Sequence, residues 1–195
     1  GLGLTYQWYK NTTASTSGAT LLTGATSSTY TPVTSTASAL YYYCVVTGTC
    51  TTVTTGFTGL ITVKPLSVGG TATATATAVC PSSTTTITLT GYTGTIQWQQ
   101  SADGATNWTS VVGAIGATAT TPNITSLKYF RASVTSSPCS VSYSTVVSVS
   151  LYAATAITVQ PSVIAQTYCV NATPTDLSVT ATGAGLAYQW YQNTS

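Results

Sequence analysis

The chain has 195 residues, of which only 3% are charged, and its formal net charge is +2. An ordinary soluble protein carries about 25% charged residues, and the scattered basic side chains here form no patch that would attract nucleic acid. The sequence contains no His and no Glu, which removes the imidazole base and the paired carboxylates of most hydrolases. No apolar run reaches the about 18 residues of a membrane-spanning helix. We therefore expect no enzyme, no nucleic-acid partner, no membrane span, no cofactor and no metal site.

One strand-like sequence motif, centred on Gln-Trp, occurs three times along the chain. Residues 6–12 read Tyr-Gln-Trp-Tyr-Lys-Asn-Thr, residues 188–194 read Tyr-Gln-Trp-Tyr-Gln-Asn-Thr, and Ile-Gln-Trp-Gln-Gln lies between them at 96–100. Successive tryptophans are 90 and 92 residues apart, and a fixed period of this kind is the signature of a tandem array. The near-identity of the two outer phrases indicates that two domain types alternate.

The repeat also sets the expected domain boundaries. Ile-Thr-Val-Lys-Pro at residues 61–65 resembles Ile-Thr-Val-Gln-Pro at residues 157–161. The repeat predicts the C-terminal part of one domain at residues 1–64, a complete domain at residues 65–154, and the N-terminal part of a further domain at residues 155–195.

Alternation with a period of two residues fills the complete domain. Thr and Ala alternate over residues 71–78, hydroxyl and aliphatic side chains over residues 86–90, and Val or Leu with Ser over residues 147–151. Asp103-Gly104 lies between two such runs and predicts a hairpin turn. No segment has the 3.6-residue period of a helix, so the sequence predicts an all-β fold of short strands, arranged as a β-sandwich.

A cysteine, a tryptophan in a mid-domain strand, and an aromatic strand that leads to Val-Thr and a second cysteine resemble the immunoglobulin-like plan. More closely, residues 6–9, 24–32 and 41–47 resemble phrases in the repeat domains of giant surface adhesins and gliding-motility adhesins of Bacteroidetes-type bacteria. Residues 97–104, followed by 107–109, look like the companion variant. The resemblance covers essentially the whole chain. It implies tandem immunoglobulin-like β-sandwich domains at the cell surface, exported by the type IX secretion route.

The immunoglobulin-like plan also implies a disulfide between Cys80 and Cys139, both inside the complete domain, and hence an oxidising compartment outside the cytoplasm. Cys44 is left without an assigned partner. We interpret it as a small buried apolar side chain on a strand that alternates inward. Two alternatives stay open: a reactive or cross-linking thiol, and the true disulfide partner in its own domain, because Tyr42-x-Cys44 has the spacing of a tyrosine corner.

The four tryptophans divide between core and surface. Trp8, Trp98 and Trp190 take the same strand position in successive repeats, and we interpret them as the buried structural core of their sandwiches. Trp108 follows the predicted hairpin turn and is the possible ligand contact, because an outward-facing tryptophan can stack on a glycan.

Together these inferences favour a structural role. We expect a repeat region, forming a stalk or filament, of an extracellular bacterial surface adhesin that serves adhesion or gliding. Low charge weakens the repulsion between copies, so self-association into filaments is expected. Two alternatives stay open: the repeats themselves hold a glycan or a surface protein, or they are accessory repeats of a large secreted hydrolase.

Overall fold

The computed structural model describes residues 3–193, and every regular element in that range is a β-strand. Thr and Val are β-branched and favour strands over helices, and the predicted all-β class is confirmed. Between residues 3 and 193 no helix is long and apolar enough to cross a membrane.

The strands are, in chain order, β1 (Thr5–Asn11), β2 (Thr20–Leu21), β3 (Ser38–Thr47), β4 (Thr52–Thr54), β5 (Ile61–Val63), β6 (Thr71–Ala74), β7 (Ala78–Val79), β8 (Thr86–Thr90), β9 (Thr95–Ser101), β10 (Thr109–Ser110), β11 (Thr118–Thr120), β12 (Lys128–Thr135), β13 (Ser142–Tyr143), β14 (Val147–Leu151), β15 (Ala156–Val159) and β16 (Thr180–Thr182).

The chain divides into two compact units. The three-domain division of the sequence rests on the repeat and remains a prediction. The first unit holds the residues up to 69 with 91–95 and 134–143, and the second holds 70–90, 96–133 and the residues from 144 onward.

The N-terminal strands of the first unit form one antiparallel sheet, in the order β2-β1-β3-β4, with β5 also paired to β3. The register of β1 and β3 sets Trp8 opposite Cys44 and Tyr9 opposite Tyr43. Side chains alternate across a strand, so Trp8 and Cys44 share one face and Tyr9 and Tyr43 share the other. We call the face of Trp8 and Cys44 the inner face of this sheet, because it corresponds to the buried face of the next repeat.

Strands β6 to β14 form two sheets. One has the order β11-β8-β6, and the other has the order β10-β9-β12-β14-β7 with β13 beside β12. Strand β7 pairs with β14 in parallel, while β6 pairs with β8 and β12 pairs with β14 in antiparallel fashion. Apolar side chains at alternate positions of both sheets are buried, which is how two amphipathic sheets hide their apolar faces. The largest fully buried side chains are Trp98, Phe130, Ile87, Ile124, Val134 and Val149.

Residues 155–193 contain one hairpin, in which β15 pairs with β16 and the register shifts between Ile157 and Val159. Ile157 is 55% exposed and Trp190 is 48% exposed. The structure therefore does not bury Trp190 as the sequence predicted. The reason is that, among residues 155–193, β15 and β16 are the only strands, so that stretch supplies no second sheet to cover the indole.

Candidate functional site

The loop between β9 and β10 is built around one carboxylate. The Asp103 carboxylate accepts hydrogen bonds from the Ser101 hydroxyl at 2.7 Å, from the backbone N–H groups of Ala105 and Thr106 at 2.9 and 2.8 Å, and from the Thr106 hydroxyl. The bonds from Thr106, and after them those from Ala105 and Ser101, hold the pKa of Asp103 well below its usual range. Asp commonly bridges nearby backbone N–H groups in turns, and here it fixes the shape of the whole loop.

The fixed loop presents Trp108 next to Arg131 of β12. The Trp108 indole N–H donates to the Ala105 carbonyl at 3.2 Å, and the guanidinium carbon of Arg131 lies 4.2 Å from the centroid of the Trp108 ring. Arg131 Nε donates to the Gln99 side-chain oxygen at 3.0 Å. A cation at this distance over an indole is attracted by the ring quadrupole. We call Trp108, Arg131 and Gln99 the Arg131 cluster.

The alternation of β12 explains why this cluster lies on an outer face. Phe130, Ala132 and Val134 are all 0% exposed, so the residues between them face the opposite side of the sheet. Arg131 is one of these, and it is half-buried by its contacts in the cluster. The sequence therefore places one cation on the face that is turned away from Trp98.

The first repeat carries an aromatic group at the corresponding place. By the sequence repeat, Tyr43 corresponds to Arg131 and Tyr9 to Gln99. The rings of Tyr9 and Tyr43 stack at 5.1 Å with an interplanar angle of 7°, and Phe57 meets Tyr43 edge-on at 5.3 Å. Both repeats thus put planar side chains on the outer face of the strand that follows the tryptophan strand in the sheet.

A second device recurs at every tryptophan of the repeat. The glutamine before each tryptophan folds its side-chain amide onto the carbonyl of that tryptophan. In the first two repeats the same amide also donates a hydrogen bond to the carbonyl of the residue that directly follows the short adjoining strand, β2 or β10. The indole N–H donates to a carbonyl five residues further along the chain. The glutamine side-chain amides donate to backbone carbonyls as follows: Gln7 to Trp8 and Leu22 at 3.0 and 2.8 Å, Gln97 to Trp98 and Val111 at 2.9 Å each, and Gln189 to Trp190 at 3.1 Å. The indole N–H groups also donate to backbone carbonyls: Trp8 Nε1 to Ser27 at 2.9 Å, and Trp98 Nε1 to Gly116 at 3.0 Å.

The predicted core tryptophans occupy three different environments. Trp98 is 0% exposed, Trp8 is half-buried, and Trp190 is exposed. The predicted ligand contact, Trp108, is half-buried and lies in the Arg131 cluster. Arg131 itself was not singled out from the sequence as a site residue, although the period of β12 turns it outward.

The cysteines require a correction. All five are free thiols, so the predicted disulfide between Cys80 and Cys139 is not formed in this structure. Cys80 is exposed directly after β7, and the Cys139 thiol lies 3.5 Å from the carbonyl oxygen of Pro65. The sulfur atoms of Cys80 and Cys139 therefore lie in separate environments and do not contact each other. Cys44 is 2% exposed on the inner face of the first sheet, which agrees with its interpretation as a small buried side chain.

The hairpin of β15 and β16 is covered in part by the last described residues. A cavity of about 370 Å³ lies there, and apolar side chains that include Ile157, Leu186 and Trp190 line it. Across residues 3–193 no three His, Cys, Asp or Glu side chains come together in a way that would hold a metal ion. The cavity is lined mainly by apolar side chains, together with Tyr188 and a few uncharged polar side chains, and no Asp, Glu, Lys, Arg or Cys side chain lines it.

One family model matches the chain, over residues 68–153, and it is described as Domain of unknown function (DUF8696). A search of curated proteins finds no match. The matched residues contain β6 to β14 and the whole Arg131 cluster. The match covers the two-sheet part of the chain and says nothing of its activity.

Proposed function

We propose that this chain is a structural repeat region, a stalk or filament, of an extracellular bacterial surface adhesin, built from tandem immunoglobulin-like domains. The observation that carries the proposal is the recurrence of one glutamine–tryptophan device at three points about 91 residues apart. Repeated folding units in series build an extended, quasi-one-dimensional array, which is the architecture that a stalk needs.

The strand order supports the immunoglobulin-like part of the proposal. When the strands are lettered by their places in the immunoglobulin plan, sheet β11-β8-β6 has the order E-B-A and sheet β10-β9-β12-β14-β7 has the order C′-C-F-G-A′, with the short β13 beside F left without a letter. The tryptophan lies on the C strand, as in immunoglobulin domains. This order joins the first strand of the domain to both sheets, because β6 pairs with β8 and β7 pairs with β14.

The hydrogen bonds around the tryptophan support the tandem part. Trp8 N–H donates to the Ala25 carbonyl at 3.0 Å, and Trp98 N–H donates to the Ala114 carbonyl at 2.9 Å. Gly24 and Gly113 stand at matching places with φ of 77° and 74°, a region that favours glycine. The two repeats have different surfaces but share the same hydrogen bonds and glycine turn around the tryptophan strand. This is expected of units that repeat one fold along the chain.

Small-angle X-ray scattering of the dilute chain, combined with electron microscopy, tests the proposal. A sandwich whose longest strand has ten residues is roughly 40 Å long at ~3.3 Å per residue with its turns. We expect an elongated particle with domains spaced at that interval. A single compact particle without serial domains would contradict the stalk.

The Arg131 cluster favours a second candidate function, a glycan-binding module. An exposed sheet face with an indole and a guanidinium in contact offers a stacking surface and a donor side by side. Glycan-array binding of the full chain, repeated with Trp108→Ala, tests it. Trp190→Ala is the matched control, since it removes an exposed indole outside the cluster. Binding that neither variant weakens, or no binding at all, would eliminate this candidate.

A further inference from the structure

One edge of the three-stranded sheet β11-β8-β6 is open. Strand β11 lies at the end of this order and pairs with β8. The Leu89 N–H of β8 donates to the carbonyl of Ala117, the residue before β11, at 2.8 Å. Because backbone groups point to alternate sides along a strand, the N–H and C=O groups of Thr118 and Thr120 point away from β8. Within residues 3–193 these groups make no hydrogen bond.

The opposite edge of the same sheet is closed by a side chain. Thr75 N–H donates to the Thr86 carbonyl at 2.9 Å, so the odd-numbered residues of β6 bond to β8 and Ala72 N–H points the other way. That N–H donates to the Thr145 hydroxyl at 2.9 Å. Edge strands are commonly protected from other chains by Lys, Pro or a bulge, but the Thr-Ala-Thr of β11 has none of these and keeps a regular register. The edge of β11 can therefore accept a further strand.

Threonine forms the outer face of this sheet. Thr88 of β8 lies between Thr73 of β6 and Thr118 of β11, and Thr86 lies opposite Thr120. The residues between these threonines turn inward. Pairs of Thr side chains on neighbouring strands stabilise a sheet, and the strands β6, β8 and β11 contain no charged residue. A strand with Thr on its outer face and a small inner residue therefore matches the open edge.

We propose that β11 pairs with β11 of a second copy of this chain, antiparallel and centred on Ala119. In that register Thr118 of one copy lies opposite Thr120 of the other, so each outward N–H meets an outward carbonyl. The sequence Thr-Ala-Thr reads the same in both directions, which makes the contact isologous, with the same residues on both sides of a two-fold axis. The outward backbone groups of both copies are then satisfied, and threonine meets threonine along the outer face.

The direction of the second copy follows from the two faces of the sheet. Two identical edges can also meet in parallel, but that arrangement turns one sheet over, so that Thr118 lies opposite Ala119 and the threonine face continues into the apolar face. The antiparallel pair avoids this and requires the two chains to run in opposite directions. The inference deepens the proposed stalk and rests on it for one consequence: stalks that extend toward each other from two facing surfaces pair, and neighbours on one surface do not.

The loop before β11 gives the second copy an apolar contact. A groove of about 180 Å³ lies beside β11 and is lined by residues 112–114 and 118–120. Val112 in that groove is 98% exposed, and covering it with an added strand is favourable in proportion to the apolar area buried. A contact between two such short strands belongs to the weak, transient class of interfaces. Several contacts between two stalks add to each other by multivalency.

Sedimentation equilibrium of the 195-residue chain over a wide concentration range tests the pairing. We expect a monomer–dimer equilibrium in the unchanged chain. Thr120→Pro removes one outward N–H and no bond to β8, because proline has no N–H, and it should abolish the dimer. Thr120→Val is the matched control, since it keeps the N–H and the β-branched shape, and it should dimerise like the unchanged chain. Circular dichroism checks that both variants keep their strands. A monomeric unchanged chain, or dimers that persist in Thr120→Pro, would overturn the proposal.

Cysteine cross-linking tests the antiparallel register, in a chain whose five native cysteines are replaced by alanine. Ala119 lies opposite Ala119 of the second copy with about 4.5 Å between the Cα atoms, which is within reach of a disulfide. With oxidised glutathione as the oxidant, Ala119→Cys should therefore give a covalent dimer. Thr71→Cys is the matched control, because Thr71 is exposed on the far strand of the same sheet, and it should stay monomeric. Equal cross-linking of the two variants contradicts the register. An elongated monomer would remove the pairing and keep the stalk, and a compact chain that dimerises through Ala119 would do the reverse.

Discussion

Gly94 lies directly against the backbone of Thr135: a Cβ built on Gly94 would stand 2.8 Å from the carbonyl carbon and oxygen of Thr135. Gly94 also has φ of 129°, where a side chain is strained. The contact lies at the start of β9 and the end of β12, and it leaves no space for a methyl group. Glycine at this position is therefore a requirement of close backbone approach.

We expect Gly94→Ala to lower the free energy of unfolding by about 1–3 kcal/mol from backbone strain, with the clash adding to it. Gly91→Ala is the control, because Gly91 has φ of 66°, within the left-handed region open to L residues, and no atom beyond its chain neighbours lies within 4 Å of a built Cβ; it carries a smaller strain and no clash. Urea denaturation of both variants measures the difference. Equal losses in the two variants would show that the approach to Thr135 has no energetic weight.

Trp98 is the largest fully buried side chain among the strands β6 to β14. Trp98→Ala should cost about 3–5 kcal/mol, since it removes a fully buried aromatic side chain. Trp190→Ala, measured at a dilution where the chain is monomeric, should stay within about 0.5 kcal/mol, as expected of an exposed position. Thermal and urea unfolding followed by circular dichroism give both values. The assignment of Trp98 to the core fails if the two substitutions cost the same.

The contact between Trp108 and Arg131 should be measurable as a coupling energy. A double-mutant cycle with Trp108→Ala and Arg131→Ala isolates it from the bonds that each residue makes to Ala105 and Gln99. We expect a coupling of about 0.5–1 kcal/mol, typical of a cation–π pair near the surface. Strictly additive losses would mean that the two side chains are neighbours without mutual stabilisation.

The loop of Asp103 should respond to acid in a defined direction. The folded pKa of Asp103 is depressed, chiefly by hydrogen bonds from Thr106. Its contribution to stability is therefore present above the unfolded carboxyl pKa of about 3.9 and is lost as the pH falls through the folded pKa. A carboxyl carbon titration by NMR should give a midpoint below the unfolded value, and Thr106→Val should raise it. A midpoint that Thr106→Val leaves in place would contradict the hydrogen-bonded loop.

The cysteines should differ in their access to reagent. Cys44 is buried, whereas Cys50, Cys80 and Cys169 are exposed. Brief treatment of the folded chain with iodoacetamide should label the three exposed thiols and spare Cys44, and denaturation without reductant should release all five. Peptide mass mapping reads out each site. A Cys80–Cys139 peptide pair in unreduced material would restore the disulfide that the resemblance implied.

The parts of this structure that were predictable from sequence are those that depend on local periodicity. The alternation around Trp98 and along β12 indicates an inward face, and the structure buries Phe130, Ala132 and Val134. The phrase around Trp190 is nearly the same, yet that indole is exposed. Burial depends on the sheet that covers a strand, and a sequence phrase carries no information about whether such a cover is present.

The candidate site shows the same limit. The hairpin turn at Asp103 was predictable from the sequence. The contact of Trp108 with Arg131 joins a loop residue to a strand residue 23 positions later in the sequence, and it depends on how the strands pair, which no local pattern fixes. The disulfide expectation came from a family plan rather than from geometry. It depended on where two loops lie, and loops are the least constrained part of a sandwich.

The parallel pairing of β7 with β14 has a mechanical consequence. Ser150 N–H donates to the Thr77 carbonyl and Tyr152 N–H donates to the Val79 carbonyl, each at 2.9 Å, so the first and last strands of the repeat are bonded side by side. When tension is applied to the chain on either side of this repeat, the two strands are pulled in opposite directions along their length. Those bonds are then loaded in shear and must break together, not one after another as in a zipper. The repeat therefore resists being pulled apart through its ends. The force needed to unfold it is set by the short ladder of hydrogen bonds between β7 and β14 rather than by the core as a whole.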